Sequence, residues 1–137
     1  MPGRPGEIVG YITVPRLGLF RWPMRMGIRD QYLDMGVAVY RGAAKPGEGN
    51  LATAGHRVTP VNGRPYGPYY HLDTLVSGDT ATVFYEGKRY RYELKRLFIT
   101  TPDNTQVLGD GPADLTMTAC HPKGSAAQRI IAWWTLV

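Results

Sequence analysis

The 137-residue sequence predicts an all-β fold in which seven or eight short strands form a closed or nearly closed barrel. Three observations lead there. Short apolar runs alternate with polar positions along most of the chain, which is the period of a half-buried strand. Turn-forming residues, 17 Gly and 11 Pro, fall between those runs. Only one stretch has helical periodicity, and it is short. No internal repeat, low-complexity tract or linker interrupts the pattern, so residues 1–137 are expected to form one domain, long enough to bury its own core.

In chain order, "EIVGYITVP" alternates as a first strand, and "RLGLFRWP", bounded by prolines, is expected as an extended turn. "IRDQYLDMG" is the helical candidate: Ile28, Tyr32 and Met35 share a face, and Gly36 suits the position after a helix C-terminus. "VAVY" is a brief strand, "RGAAKPGEGN" a loop, and "LATAGH" a strand of small residues that carries His56 to its end. The proline-rich segment "RVTPVNGRPYGPYYHL" is long and irregular, a kind of loop that is usually functional in a compact domain. Next comes a hairpin, with Thr80, Thr82 and Phe84 on one side of the turn "EGK" and Tyr90 and Tyr92 on the other. "TPDNTQVLGDG" is loop with one helical turn. "DLTMTAC" and "RIIAWWTLV" close the sequence as two strands joined by "HPKGSAAQ".

Composition narrows the function classes. Sixteen Lys and Arg against 11 Asp and Glu give a net charge of +5. That fits attraction to an anionic surface, and it equally fits solubility alone. A single cysteine excludes a disulfide scaffold. No apolar run approaches the roughly 20 residues that span a bilayer, and "MPGRPGEIVG" lacks the features of a signal peptide.

The single cysteine, Cys120, ends the strand "DLTMTAC". Strand alternation puts Thr116, Thr118 and Cys120 on one face and Leu115, Met117 and Ala119 on the other, core-facing side. A thiol on the polar face at a strand end is badly placed for filling space. As a nucleophile it needs a partner that takes its proton, usually a histidine. Of the three histidines, His56 has room and access at its strand end. His71 sits beside Asp73 among apolar neighbours, where a backbone or carboxylate partner is expected. His121 follows Cys120 directly, so it points away unless the chain turns sharply. Arg129 opens the last strand, where hairpin pairing would set its guanidinium near the thiol to favour thiolate, hold a carbonyl or stabilise an oxyanion.

With their surroundings, these residues resemble the sortase family of cysteine transpeptidases. "TMTAC" stands where the family has TLxTC, and "GNLATAGHRVT", from Gly49 to Thr59, is similar to its histidine segment. "VYRGAAKPGEGN" and "HLDTLVSGDTATV" resemble two further family stretches, and the likeness runs from about "GYITVPRLGL" to the end. "AGHRVT", with "TACHPKGSAAQR", is most similar to class E sortases of high-GC Gram-positive bacteria, with class F the nearest rival. Ala119 departs from the usual Thr and removes a hydroxyl that lines the acyl site. Val39 and Arg41 depart from the usual His and Pro around Tyr40.

The resemblance implies an eight-stranded barrel with one or two short helices. It also implies a Cys120 thiolate that attacks the Thr–Gly bond of an LAxTG- or LPxTG-type sorting signal, His56 as general acid and then base, and Arg129 on the substrate or oxyanion. Tyr40, Thr118 and Ala119 are the matched substrate contacts. Implied partners are sorting-signal peptides of secreted proteins and the amine of a cell-wall precursor or pilin lysine. Neither a cofactor nor a metal is expected, and no nucleic acid. The implied location is the extracytoplasmic face of the cell membrane, with membrane contact only through an N-terminal anchor outside this sequence. The competing expectation is a basic binding module without catalysis, using Tyr66, Tyr69, Tyr70, Trp133 and Trp134 as stacking surfaces for glycan or nucleic acid.

Overall fold

Alternation turns one side of each strand inward, and barrel closure buries that side. The computed structural model describes residues 1–137. Eight strands form: β1 (Ile8–Val14), β2 (Leu19–Met26), β3 (Val37–Val39), β4 (Leu51–Ala54), β5 (Thr80–Tyr85), β6 (Lys88–Thr100), β7 (Leu115–His121) and β8 (Gln128–Leu136). They close in the order β1-β2-β3-β4-β7-β8-β6-β5, so no edge strand is left unpaired. The core holds Trp134, Tyr69, Tyr92, Leu115 and Met117, all fully buried.

The hairpin follows the sequence pattern directly. β5 buries Ala81, Val83 and Tyr85 and turns Thr80, Thr82 and Phe84 outward. Glu86 and Gly87, with φ of 49° and 77°, make the tight turn between β5 and β6. Positive φ at both central residues matches the twist of the strands, and glycine takes it without steric cost.

Three local expectations are corrected. The segment expected as an extended turn becomes a short 3-10 turn, Pro15–Leu17, followed by the full strand β2. Antiparallel pairing with its neighbour β1 overrides its proline punctuation. The helix, α1, spans only Asp30–Leu33 and ends before Gly36. Its supposed inner face is not buried: Ile28 and Met35 are exposed and Tyr32 is half-buried.

Two pairs in the barrel are parallel, β2 with β3 and β4 with β7. A parallel pair needs a crossover, so the chain leaves the barrel between its members. The first crossover carries α1, and the second is the long excursion from residue 55 to residue 114 that contains the proline-rich loop and the hairpin. β3 and most of β4 and β7 are accordingly buried on both faces. No helix is long and apolar enough to cross a membrane.

Candidate active site

The parallel pair β4–β7 sets the two chemistry-bearing segments side by side. Its register pairs Ala52 with Thr116 and Ala54 with Thr118. Beyond β4 the Gly55 amide still donates to the Thr118 carbonyl at 3.2 Å, and His56 follows directly. On the other side of β7, Cys120 is the direct cross-strand partner of Arg129 on β8. The three residues line one groove of about 390 Å³. Ala54, Thr118 and Ala119 contribute to its lining, with Tyr40 beside them, and the small side chains on β4 leave it open. Ile28 and Leu33 from the α1 segment and Gly124–Ala126 from the β7–β8 loop also line it. Neither His71 nor His121 does.

His56 is fixed from two directions. Its Nε2 lies 2.9 Å from Asp34 Oδ1, at the end of α1. An ionised carboxylate only accepts, so this contact puts the proton on Nε2 and leaves Nδ1 as the nitrogen without a partner. The proline-rich loop returns onto the same residue: the Tyr69 amide donates to the His56 carbonyl at 3.1 Å and the Gly67 amide to the Arg57 carbonyl at 2.8 Å. A Cβ on Gly67 would stand 2.1 Å from the His56 carbonyl oxygen, so only glycine allows that approach.

Arg129 Nη1 donates to the carbonyls of Ala126 and Gln128, each at 3.0 Å, which braces the β7–β8 loop. Its Nε and Nη2 have no protein partner and remain available to a substrate oxygen. Burial pushes the Tyr40 phenol above its usual range, and the nearby Arg129 cation partly offsets that shift.

Arg57, directly after His56, is only 4% exposed. A buried charge requires partners, and this one has them. Nη1 donates to the Cys120 carbonyl at 3.0 Å, Nε and Nη2 to the Tyr70 carbonyl at 3.2 and 3.1 Å, and Nη2 to Asp73 Oδ1 at 3.1 Å. Burial pushes the guanidinium below the usual arginine range, and Asp73 partly offsets that shift. Asp73 also meets Lys123 Nζ at 3.6 Å, and that ammonium lies 4.1 Å from the centre of the Tyr70 ring.

Sequence reasoning missed Asp34 and Arg57. Nothing local marks Asp34, an exposed carboxylate at the C-cap of a four-residue helix. Arg57 did carry a signal, since it belongs to the "AGHR" stretch, but it entered only as part of the pattern. His71 has neither the backbone nor the carboxylate partner expected, and Asp73 is taken by Arg57 and Lys123. Instead it packs edge-on against Tyr66 and Tyr70. His121 Nδ1 is buried without a partner. No cluster of three or more His, Cys, Asp or Glu side chains has metal-binding geometry.

The stacking surfaces of the binding-module reading are mostly absent. Tyr69 and Trp134 are fully buried, and Tyr69 hydroxyl contacts Thr53 Oγ1 at 2.7 Å. Trp133 packs on Phe98 and donates Nε1 to the Val107 carbonyl at 3.1 Å.

Comparison with known proteins bears on the family and the fold. The family model described as a sortase domain matches residues 12–137. Among solved structures, sortase E1 from Streptomyces coelicolor, with a tripeptide in its active site, is 28% identical with a TM-score of 0.83, covering 99% of this chain and 91% of that one. Sortase E from Streptomyces avermitilis is 27% identical with a TM-score of 0.81, over 98% and 91%. A sortase D5 transpeptidase from Clostridium perfringens is 25% identical with a TM-score of 0.81, over 98% and 81%. A search of curated protein sequences finds no significant match.

Proposed function

The chain belongs to the sortase family, and from that premise we propose that it is a cysteine transpeptidase acting on C-terminal sorting signals of the LAxTG or LPxTG type. The observation that carries the reading is the groove lined together by Cys120, His56 and Arg129, with Cys120 and Arg129 in direct cross-strand register. The likeness of nearly the whole chain to a class E sortase with a tripeptide in its active site supports a peptide substrate and a class E assignment.

The chemistry proceeds in two halves. Cys120 Sγ gives its proton to His56 Nδ1 and, as thiolate, attacks the carbonyl carbon of the signal's threonine, and the oxygen takes up negative charge opposite the free Nε and Nη2 of Arg129. As the C–N bond to glycine breaks, His56 gives its Nδ1 proton to the leaving amine while Asp34 holds Nε2–H. A thioester remains on Cys120. An amine of a cell-wall precursor or a pilin then attacks that thioester, His56 takes its proton, and the new amide leaves with the thiolate restored. Thr118, Ala119 and Tyr40 line the groove where the threonine end of the signal would lie. Position 119 offers only a methyl group to the acyl portion, and the hydroxyls of this wall are those of Thr118 and Tyr40. The work is placed at the extracytoplasmic face of the cell membrane.

Intact-mass measurement after incubation with an LAxTG or LPxTG peptide and no amine tests this reading. An adduct of the peptide's N-terminal portion should form on the wild type and not on Cys120→Ala, and adding an amine should convert it to ligated peptide. Peptide cleavage by a folded Cys120→Ala variant would overturn the nucleophile assignment.

A further inference from the structure

The open side of β7 at its C-terminal end is closed by a side chain. Up to Thr118 the carbonyls on that side find partners on β4 and its continuation: Thr53 Oγ1 donates to Thr116 at 2.8 Å, and the Gly55 amide donates to Thr118 at 3.2 Å. Two residues on, the next carbonyl on the same side belongs to Cys120. There the main chain has diverged, and Arg57 Nη1 supplies the missing donor at 3.0 Å. The same guanidinium grips Tyr70 and Asp73 on the far side of the proline-rich loop, and Asp73 reaches on to Lys123 in the β7–β8 loop. One buried cation therefore joins the segments that carry His56, Cys120 and the loop before Arg129. Its side chain is 2% exposed, whereas that of Asp73 is 44% exposed. The inner contacts are thus the ones that water cannot replace.

We propose that Arg57 is the positioning residue of this active site, a side-chain clamp that continues the β4–β7 ladder past the end of β4 and fixes the strand end bearing Cys120 relative to His56. The kinetic part of this inference rests on the transpeptidase reading; the structural part does not. Arg57 touches no reacting atom in the scheme above. It acts through the Cys120 backbone, and a nucleophile held loosely by its backbone loses near-attack geometry more than it loses substrate affinity.

The test compares Arg57→Met, Arg57→Lys and Asp73→Asn in the intact chain. Amide hydrogen exchange across residues 118–126 is measured first, with the β5–β6 hairpin as internal reference. Arg57→Met should speed exchange at that strand end by about tenfold or more and leave the hairpin unchanged, because only local opening is affected. Asp73→Asn, which keeps the contacts to Cys120 and Tyr70, should leave 118–121 protected. In turnover of the sorting-signal peptide, Arg57→Met should lower kcat by about tenfold or more with KM held within about twofold. Arg57→Lys should recover only part of that loss, since one ammonium cannot span the Cys120 and Tyr70 carbonyls as a planar fork does. Unchanged exchange at 118–121 in Arg57→Met, or a kcat loss no greater than that of Asp73→Asn, would overturn the clamp. A wild type that turns over no sorting peptide refutes the substrate assignment instead, and the exchange result still decides the clamp.

Discussion

The two ends of the barrel are built by different means. Cys120 and Arg129 are paired, and Arg129 in turn pairs with Thr100 on β6. From that level β6 runs back to Lys88 and the turn at Glu86–Gly87, a path of 12 residues or about 40 Å of strand. In the hairpin each β5–β6 pair joins residues close in sequence, burial alternates strictly along β5, and two residues make the turn. At the Cys120 end the contacts that hold the structure join residues far apart: His56 with Asp34 across 22 positions, and Arg57 with Cys120 across 63. Regular backbone pairing suffices where stability is the only requirement. A groove needs the ladder to open, and buried side chains then take over the hydrogen bonds that the backbone no longer makes.

This contrast is sharpest in activity. His56→Ala and Arg129→Ala should each lower kcat/KM for the sorting peptide by at least about 100-fold, the scale of a lost proton carrier or oxyanion donor. His71→Ala and His121→Ala should stay within a few-fold of wild type. Steady-state assays of the four variants decide it, and a dead His121 variant beside a live His56 variant would reassign the base.

A smaller effect is expected where the groove meets solvent. Asp34→Asn removes the carboxylate that holds His56 Nε2–H, but Asp34 is well exposed, and such pairs contribute up to about 1 kcal/mol. The kcat of Asp34→Asn should therefore fall by about fivefold, with less loss at high salt in the wild type–variant comparison because screening already weakens the native pair. A loss on the scale of His56→Ala would show that the pair is worth far more than its exposure implies.

The smallest effect on turnover belongs to the other end. Gly87→Ala meets no neighbouring atom, but its φ of 77° costs an L-residue about 1 kcal/mol. Thermal unfolding should drop by a few degrees while kcat and KM stay at wild-type values. A matching drop in kcat would mean that the two ends are mechanically coupled.

Legibility divides along the same line. β5, β6 and their turn were readable because alternation and turn chemistry are properties of adjacent residues. β7 was readable for the same reason: Leu115, Met117 and Ala119 do join the core. Yet Thr116 and Thr118 are also buried, since the crossover from β4 covers their side, and Thr116 Oγ1 is satisfied by Asn50 at 2.8 Å. β2 was misread because Pro15 before it and Pro23 within it look like punctuation until β1 pairs with it. Asp34 and Arg57 were not recognised as site residues, since their roles exist only through partners brought near by barrel closure.

By itself, then, the sequence determined the all-β class, the hairpin, the strand bearing Cys120, though not its end at His121, and the candidate trio of Cys120, His56 and Arg129. Periodicity, turn residues and motif spacing are local, and they survive in a string of letters. The tertiary structure alone decided that these three line one groove, that Asp34 lies against His56, and that Arg57 reaches the Cys120 carbonyl. Those facts depend on two parallel crossovers and the closing of eight strands, which set the distance between residues that the sequence holds far apart.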